Sequence, residues 1–176
     1  MQRRTTNTVH VGDVEIGSGY PIAVQSMLCA DPADIAANVA QTLALKEAGC
    51  DIVRLAIPTM DDIRLISAIK NEVDIPLVAD IQFDYRLAIA AVKAGIDKVR
   101  INPGNIGGSD RVHAVVEACR DRHIPIRIGV NSGSLEKDIL QKYGRPTAEA
   151  LVESALRHMA LSVGQYCDKV RFCRLV

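Results

Sequence analysis

Val99-Arg100-Ile101-Asn102-Pro103-Gly104-Asn105-Ile106-Gly107-Gly108 is the stretch from which the fold of this chain is read. Val99 and Ile101 alternate with Arg100, which predicts a buried strand with the arginine on its opposite face. Proline lacks the N–H that a sheet ladder needs, so the strand should stop at Pro103. Gly104, Gly107 and Gly108 then permit positive φ and let backbone N–H groups approach a ligand closely. Ser109 and Asp110 are helix-start residues, and Arg111 through Cys119 repeat their apolar side chains with helical period. A strand carrying arginine, a glycine turn and a helix N-terminus make either an anion site or a plain strand-to-helix connection. This stretch alone leaves both readings open.

Working outward, the same pattern recurs. Ala48-Gly49-Cys50-Asp51-Ile52-Val53-Arg54 matches Ala94-Gly95-Ile96-Asp97-Lys98-Val99-Arg100 at five of seven positions. Residues 7–16 read as a short hairpin about Gly12-Asp13, placed to plug one end of a barrel. Ile22–Ser26 is expected to be the first core strand. Asp31 is expected to cap the first helix, with Pro32 at its first position and Ile35, Val39 and Leu43 as its apolar stripe. Further strands are expected at Asp51–Ile57, Pro76–Ile81, Asp97–Arg100, Pro125–Asn131 and Asp168–Phe172, with helices between them. Regular strand–helix alternation predicts a parallel sheet with right-handed crossovers, and the internal repeat favours a barrel over an open sheet. The expected fold is α/β, an incomplete (β/α)₈ TIM-type barrel of about five to six parallel strands with a short N-terminal β-hairpin, because a full barrel takes about 250 residues.

Composition narrows the partners. Lys and Arg balance Asp and Glu at 21 each, so no global field draws the chain to nucleic acid or to a membrane surface. No apolar run approaches the roughly 18 residues of a membrane span. Nor does an apolar segment follow Arg3-Arg4 to make a signal peptide. Cys29, Cys50, Cys119, Cys167 and Cys173 are scattered without a C-x-x-C pair. That pattern points to the cytoplasm and argues against disulfides, a metal site or an iron–sulfur site complete within the chain. Six aromatic residues and no tryptophan argue against a stacking platform for single strands.

Three strands carry an arginine near the carboxyl end, Arg54, Arg100 and Arg127, and barrel sites are built at that end. One such arginine is usually half of a structural ion pair; three at one mouth would be costly without an anionic ligand. Their planar forks suit phosphate oxygens, so a phosphate or diphosphate ligand is expected. Asp80, Gln82, Asn102 and Asn131 follow on the same strand ends, either binding substrate hydroxyls or capping turns. Gln25 and Ser26 are further candidates for the mouth, and Ser132-Gly133-Ser134 for a helix N-terminus facing a phosphate. His10, His113, His123 and His158 are read as structural or solvated, and no catalytic residue or acid–base pair is identified.

At these residues the chain resembles a known family. Ala23-Val24-Gln25-Ser26-Met27, Val78-Ala79-Asp80-Ile81, Phe83-Asp84-Tyr85-Arg86, Arg100 through Gly107, Ile126 through Asn131 and Ser134-Leu135-Glu136-Lys137 are similar to bacterial 4-hydroxy-3-methylbut-2-enyl diphosphate synthase, from about Gln2 to Lys169. The resemblance implies an N-terminal barrel followed by a domain holding a [4Fe-4S] cluster. It also implies reductive opening of 2-C-methyl-D-erythritol 2,4-cyclodiphosphate in the non-mevalonate isoprenoid pathway. Flavodoxin or ferredoxin would donate the electrons, and a homodimer would close one subunit's cluster domain over the other's barrel. By the same resemblance Arg54, Arg100 and Arg127 would hold the diphosphate, with Asn131 and Asp80 completing the substrate shell. Gln82 stands where the family usually has histidine, and Cys173 where it has a second lysine on that strand. The cluster cysteines and last barrel strands are not in the sequence, so residues 1–176 are expected to be a partial substrate barrel, inactive alone. Two alternatives are carried forward: an inactive truncated remnant, and another phosphate-binding barrel of the pteroate-synthase kind.

Overall fold

The computed structural model describes residues 5–163 and 171–172. Strands β1 (Val9–Val11) and β2 (Val14–Ile16) form an antiparallel hairpin. Its turn depends on Gly12, which sits at φ +58° with Pro76 so near that a Cβ there would lie 3.0 Å from the proline ring. The main sheet is parallel and follows chain order: β3 (Gln25–Met27), β4 (Ile52–Ala56), β5 (Leu77–Ile81), β6 (Lys98–Ile101), β7 (Ile126–Ile128) and β8 (Arg171–Phe172). Helices α1 (Ile35–Glu47), α2 (Arg64–Glu72), α3 (Tyr85–Lys93), α4 (Pro103–Ile106), α5 (Ser109–Asp121), α6 (Lys137–Tyr143) and α7 (Ala148–Val163) connect them. Strictly sequential parallel strands are the progression of a barrel wall, as the repeat predicts. The predicted strand residues Asp168–Val170 lie outside the described residues.

Alternation along the strands divides the side chains between two environments. Val53, Leu55, Leu77, Ala79, Ile81, Val99 and Ile101 face the helices and pack with Leu65, Ile66, Leu87, Ala91 and Val115 into the main core. On the opposite face, Ile52 and Val78 pack with Val11, and Val9, Val14 and Ile16 close over them. The hairpin therefore plugs the amino end of the sheet's inner face.

Several local expectations are corrected. The first helix begins at Ile35 and is capped by Asp34, whose carboxylate accepts the Ala37 N–H at 3.0 Å. Asp31 instead caps the preceding turn, accepting from Ala33 N–H. Leu43 is exposed, and Asn38 and Thr42 are the buried residues of α1. Their burial costs little because Asn38 Nδ2 donates to the carbonyls of Asp31 and Asp34, and Thr42 Oγ1 to that of Asn38. The first core strand is Gln25–Met27, and Ile22 and Val24 before it are exposed beside the sheet edge. Ser26 aligns with Val53 and Gln25 with Ile52, so the two cannot both face the mouth; Gln25 shares the inner side.

Candidate active site

The inner face changes character toward the carboxyl ends. Register places Asp80 beside Arg100 and Arg100 beside Arg127 in one row across β5, β6 and β7. Arg54 aligns with Val78, two residues earlier on β5. Asp80 is only 2% exposed and joins two of the arginines. Arg54 Nη2 donates to its Oδ2 at 2.6 Å and Arg100 Nη1 to its Oδ1 at 3.0 Å. Each carboxylate oxygen thus fixes one guanidinium. Arg127 is half-buried and has no carboxylate partner among the described residues. Arg54 Nε is buried with no hydrogen-bond acceptor among them. One carboxylate against three guanidinium groups leaves a positive excess, which a low-dielectric mouth tolerates best with an anion bound.

Gly129 belongs to this site, and no sequence expectation pointed to it. A Cβ on Gly129 would lie 2.5 Å from Arg100 Nη2, so any larger residue would push the guanidinium out of its present place. The signal available in the sequence was its place directly after strand β7, beside an arginine-bearing neighbour.

The opening stretch resolves into parts with different tasks. Asn102 caps α4: its Oδ1 accepts the Gly104 N–H at 3.1 Å, and its Nδ2 donates to Ser134 Oγ at 2.7 Å. The side chain is 1% exposed, and both polar atoms are engaged with the protein. Gly104 lies within this single helical turn, where a Cβ would meet the Ser134 carbonyl oxygen at 2.6 Å. Of the three glycines expected to use positive φ, only Gly107 does, at +112°. Gly108 has φ −61° and caps α5. The glycines therefore serve close packing and turn geometry, and the stretch contributes to the mouth through Arg100.

The loop after β7 differs. Asn131 is exposed and makes no side-chain capping bond. Ser132–Ser134 form a short 3₁₀ turn, and α6 starts later, at Lys137. Gln82 is exposed and lines a recess of about 200 Å³ with Ala56, Pro58, Asp80, Phe83 and Leu87. At the rim the Arg86 guanidinium donates to both oxygens of Asp84 and holds that carboxyl below its usual range. His10, His113 and His123 lie on the hairpin and at α5, away from the mouth, and His158 is buried on α7. Cys29 is exposed while Cys50 and Cys119 are buried on separate elements. Among the described residues no three of His, Cys, Asp and Glu are grouped as a metal site would need. No described helix is long and apolar enough to cross a membrane.

Fold and site together define a parallel βα-barrel unit with a cationic mouth. The chain belongs to the GcpE TIM-barrel domain family, which it matches over residues 6–173. It is 56% identical over 159 residues to 4-hydroxy-3-methylbut-2-en-1-yl diphosphate synthase (flavodoxin) of Pseudoalteromonas translucida, covering 90% of this chain and 43% of that protein. The synthase of the same name from Enterobacter sp. is 55% identical over 172 residues, 98% of this chain and 45% of the relative. The chain thus spans less than half the length of these relatives. Among solved structures, the 7,8-dihydropteroate synthase of Vibrio fischeri superposes with a TM-score of 0.66 at 13% identity, covering 95% of this chain and 66% of that one. That likeness is one of fold.

Proposed function

We propose that this chain is the substrate-binding barrel of a 4-hydroxy-3-methylbut-2-en-1-yl diphosphate synthase and that its mouth holds 2-C-methyl-D-erythritol 2,4-cyclodiphosphate. The observation that carries this reading is the Arg54–Asp80–Arg100 constellation with Arg127 beside it. Asp80 fixes two guanidinium groups before any ligand arrives, so little side-chain entropy is lost on binding. The N–H groups that Asp80 does not use, with those of Arg127, suit phosphate oxygens. Asn131 and Gln82, both exposed at the mouth, supply neutral hydrogen bonds to the ligand. Asn102 contributes by tying the loops after β6 and β7 together.

Reduction by two electrons, with ring opening and loss of the C3 hydroxyl as water, is assigned to the whole synthase. There flavodoxin or ferredoxin, a [4Fe-4S] cluster and a second subunit complete the reaction. The task of the residues described in this chain is binding, and the 176 residues alone are expected to give no reductive turnover.

Calorimetric titration of the purified chain with the cyclodiphosphate tests the reading. Binding is expected, weakened tenfold or more by Arg100→Ala, since a charged hydrogen bond contributes about 1.5–3 kcal/mol. Equal affinity in the variant, or no binding by the parent chain, overturns it.

A further inference from the structure

We infer that Glu136 is a positioning residue that holds the anion-binding mouth from behind, through the loop after β7. The inference rests on the cationic-mouth reading above. Glu136 precedes α6, and its carboxylate turns away from the mouth toward α7. There Ser154 Oγ donates to Oε2 at 2.7 Å, and His158 Nε2 lies 3.1 Å from Oε1. Ser154 and His158 stand one helical turn apart on α7 and are both buried. Ser154 satisfies Oε2, whereas Oε1 is buried with no hydrogen-bond partner among the described residues and meets His158 only as a close contact, so the Ser154 hydrogen bond is what fixes where the chain can run.

Two residues earlier, Ser134 is the front attachment of the same loop. Its Oγ accepts from Asn102 Nδ2 at 2.7 Å, while its N–H and Oγ both donate to the Asn131 carbonyl, at 3.1 and 3.2 Å. The Ser134 carbonyl lies against Gly104 so closely that no Cβ fits between them. The carboxyl-terminal end of the loop is therefore clamped twice, at Ser134 to the β6 loop in front and at Glu136 to α7 behind. Asn131 precedes both clamps and is tied to the front one through its carbonyl, and the strand that enters the loop carries Arg127 and leads through Gly129, on which the Arg100 guanidinium rests. Releasing Glu136 leaves the Asn102–Ser134 hydrogen bond as the side-chain link from this loop to the β6 loop among the described residues.

A plain packing role for Glu136 would act through α6 and α7 in general. Asp138 serves as the comparison, since it joins α6 to α7 through Arg157 at 2.6 Å on the surface and does not touch the loop. Hydrogen exchange and calorimetric binding of inorganic pyrophosphate, both on the 176-residue chain, separate the two roles. Glu136→Ala is expected to speed exchange of the Ser134 amide tenfold or more and to weaken pyrophosphate binding fivefold or more. Glu136→Gln keeps an acceptor for Ser154 and is expected to restore both to within twofold; Asp138→Ala should change neither. Unchanged exchange in Glu136→Ala, no rescue by glutamine, or an equal effect of Asp138→Ala overturns the inference. If Glu136→Ala does not fold, Ser154→Ala carries the same exchange test with an expected threefold effect, and no change there overturns it. Absence of pyrophosphate binding in the parent chain counts against the cationic mouth, and the exchange result then decides the role of Glu136 by itself.

Discussion

The two ends of the sheet's inner face are built from the same strands and are chemical opposites. At the amino end Val11, Ile52 and Val78 are fully buried under the hairpin. Two residues further along the same strands, Arg54 and Asp80 begin a charged row. Period-two alternation puts both sets on one face, so the contrast comes from position along the strand. The closed end supplies apolar burial, and the open end concentrates charge that only partner groups or a ligand can balance. Changes at the closed end should therefore act through stability alone, whereas changes at the open end should also move anion affinity.

The largest effect is expected from carrying charge to the closed end. Val78→Asp places an unpaired carboxylate among Val11 and Ile52 and should cost about 5 kcal/mol, enough to leave much of the chain unfolded in denaturant titrations. A fully folded variant would mean that the hairpin does not seal that end. Next comes Asp80→Ala, which strands two guanidinium groups that now share one buried carboxylate; about 3 kcal/mol of stability should be lost. Added pyrophosphate should recover part of it as a rise in Tm larger than in the parent chain. Gly129→Ala is expected to cost about 1–3 kcal/mol by overpacking against Arg100, with a matching loss of anion affinity. Loss of stability without loss of affinity would separate Gly129 from the site.

Two smaller tests lie at the helices α5 and α7, away from the sheet's inner face. Burial holds the His158 imidazole below its usual pKa against the opposing pull of Glu136. The unfolded chain then binds the proton more readily, so stability should fall as pH drops below the ordinary value of 6.5. His158→Gln, followed by thermal melting between pH 5 and 8, should flatten that fall. Smallest is His123, which ends α5 at φ +57°. His123→Gly should raise stability by about 1 kcal/mol and leave anion binding unchanged.

Much of this was legible in the residues. The repeated Asp-x-Val-Arg strands announced a parallel barrel wall, since each apolar alternation stops at proline or glycine and a helical period follows. Arg54, Arg100 and Arg127 could be assigned to one mouth because parallel strands deliver their carboxyl ends to the same side. What escaped was anything decided across elements. Asn102 and Asn131 look alike in sequence, each one residue or a few beyond an arginine-bearing strand, yet one is buried capping α4 and the other is exposed. The difference is Ser134, which comes to Asn102 from another loop. Similarly, Leu43 continues the helical stripe and is exposed, while Asn38 and Thr42 are buried because the turn at Asp31 and Asp34 offers them carbonyl acceptors.

By itself the sequence determined the order of strands and helices, the parallel sense of the sheet and the arginines at its mouth, because periodicity and breaker residues are local properties of the chain. Only the tertiary structure decided that Asp80 joins Arg54 to Arg100, that Gly129 makes room for the guanidinium, and that Glu136 reaches α7. Each of these depends on distances between residues 20 or more apart, or on two elements packed side by side, which no local pattern encodes.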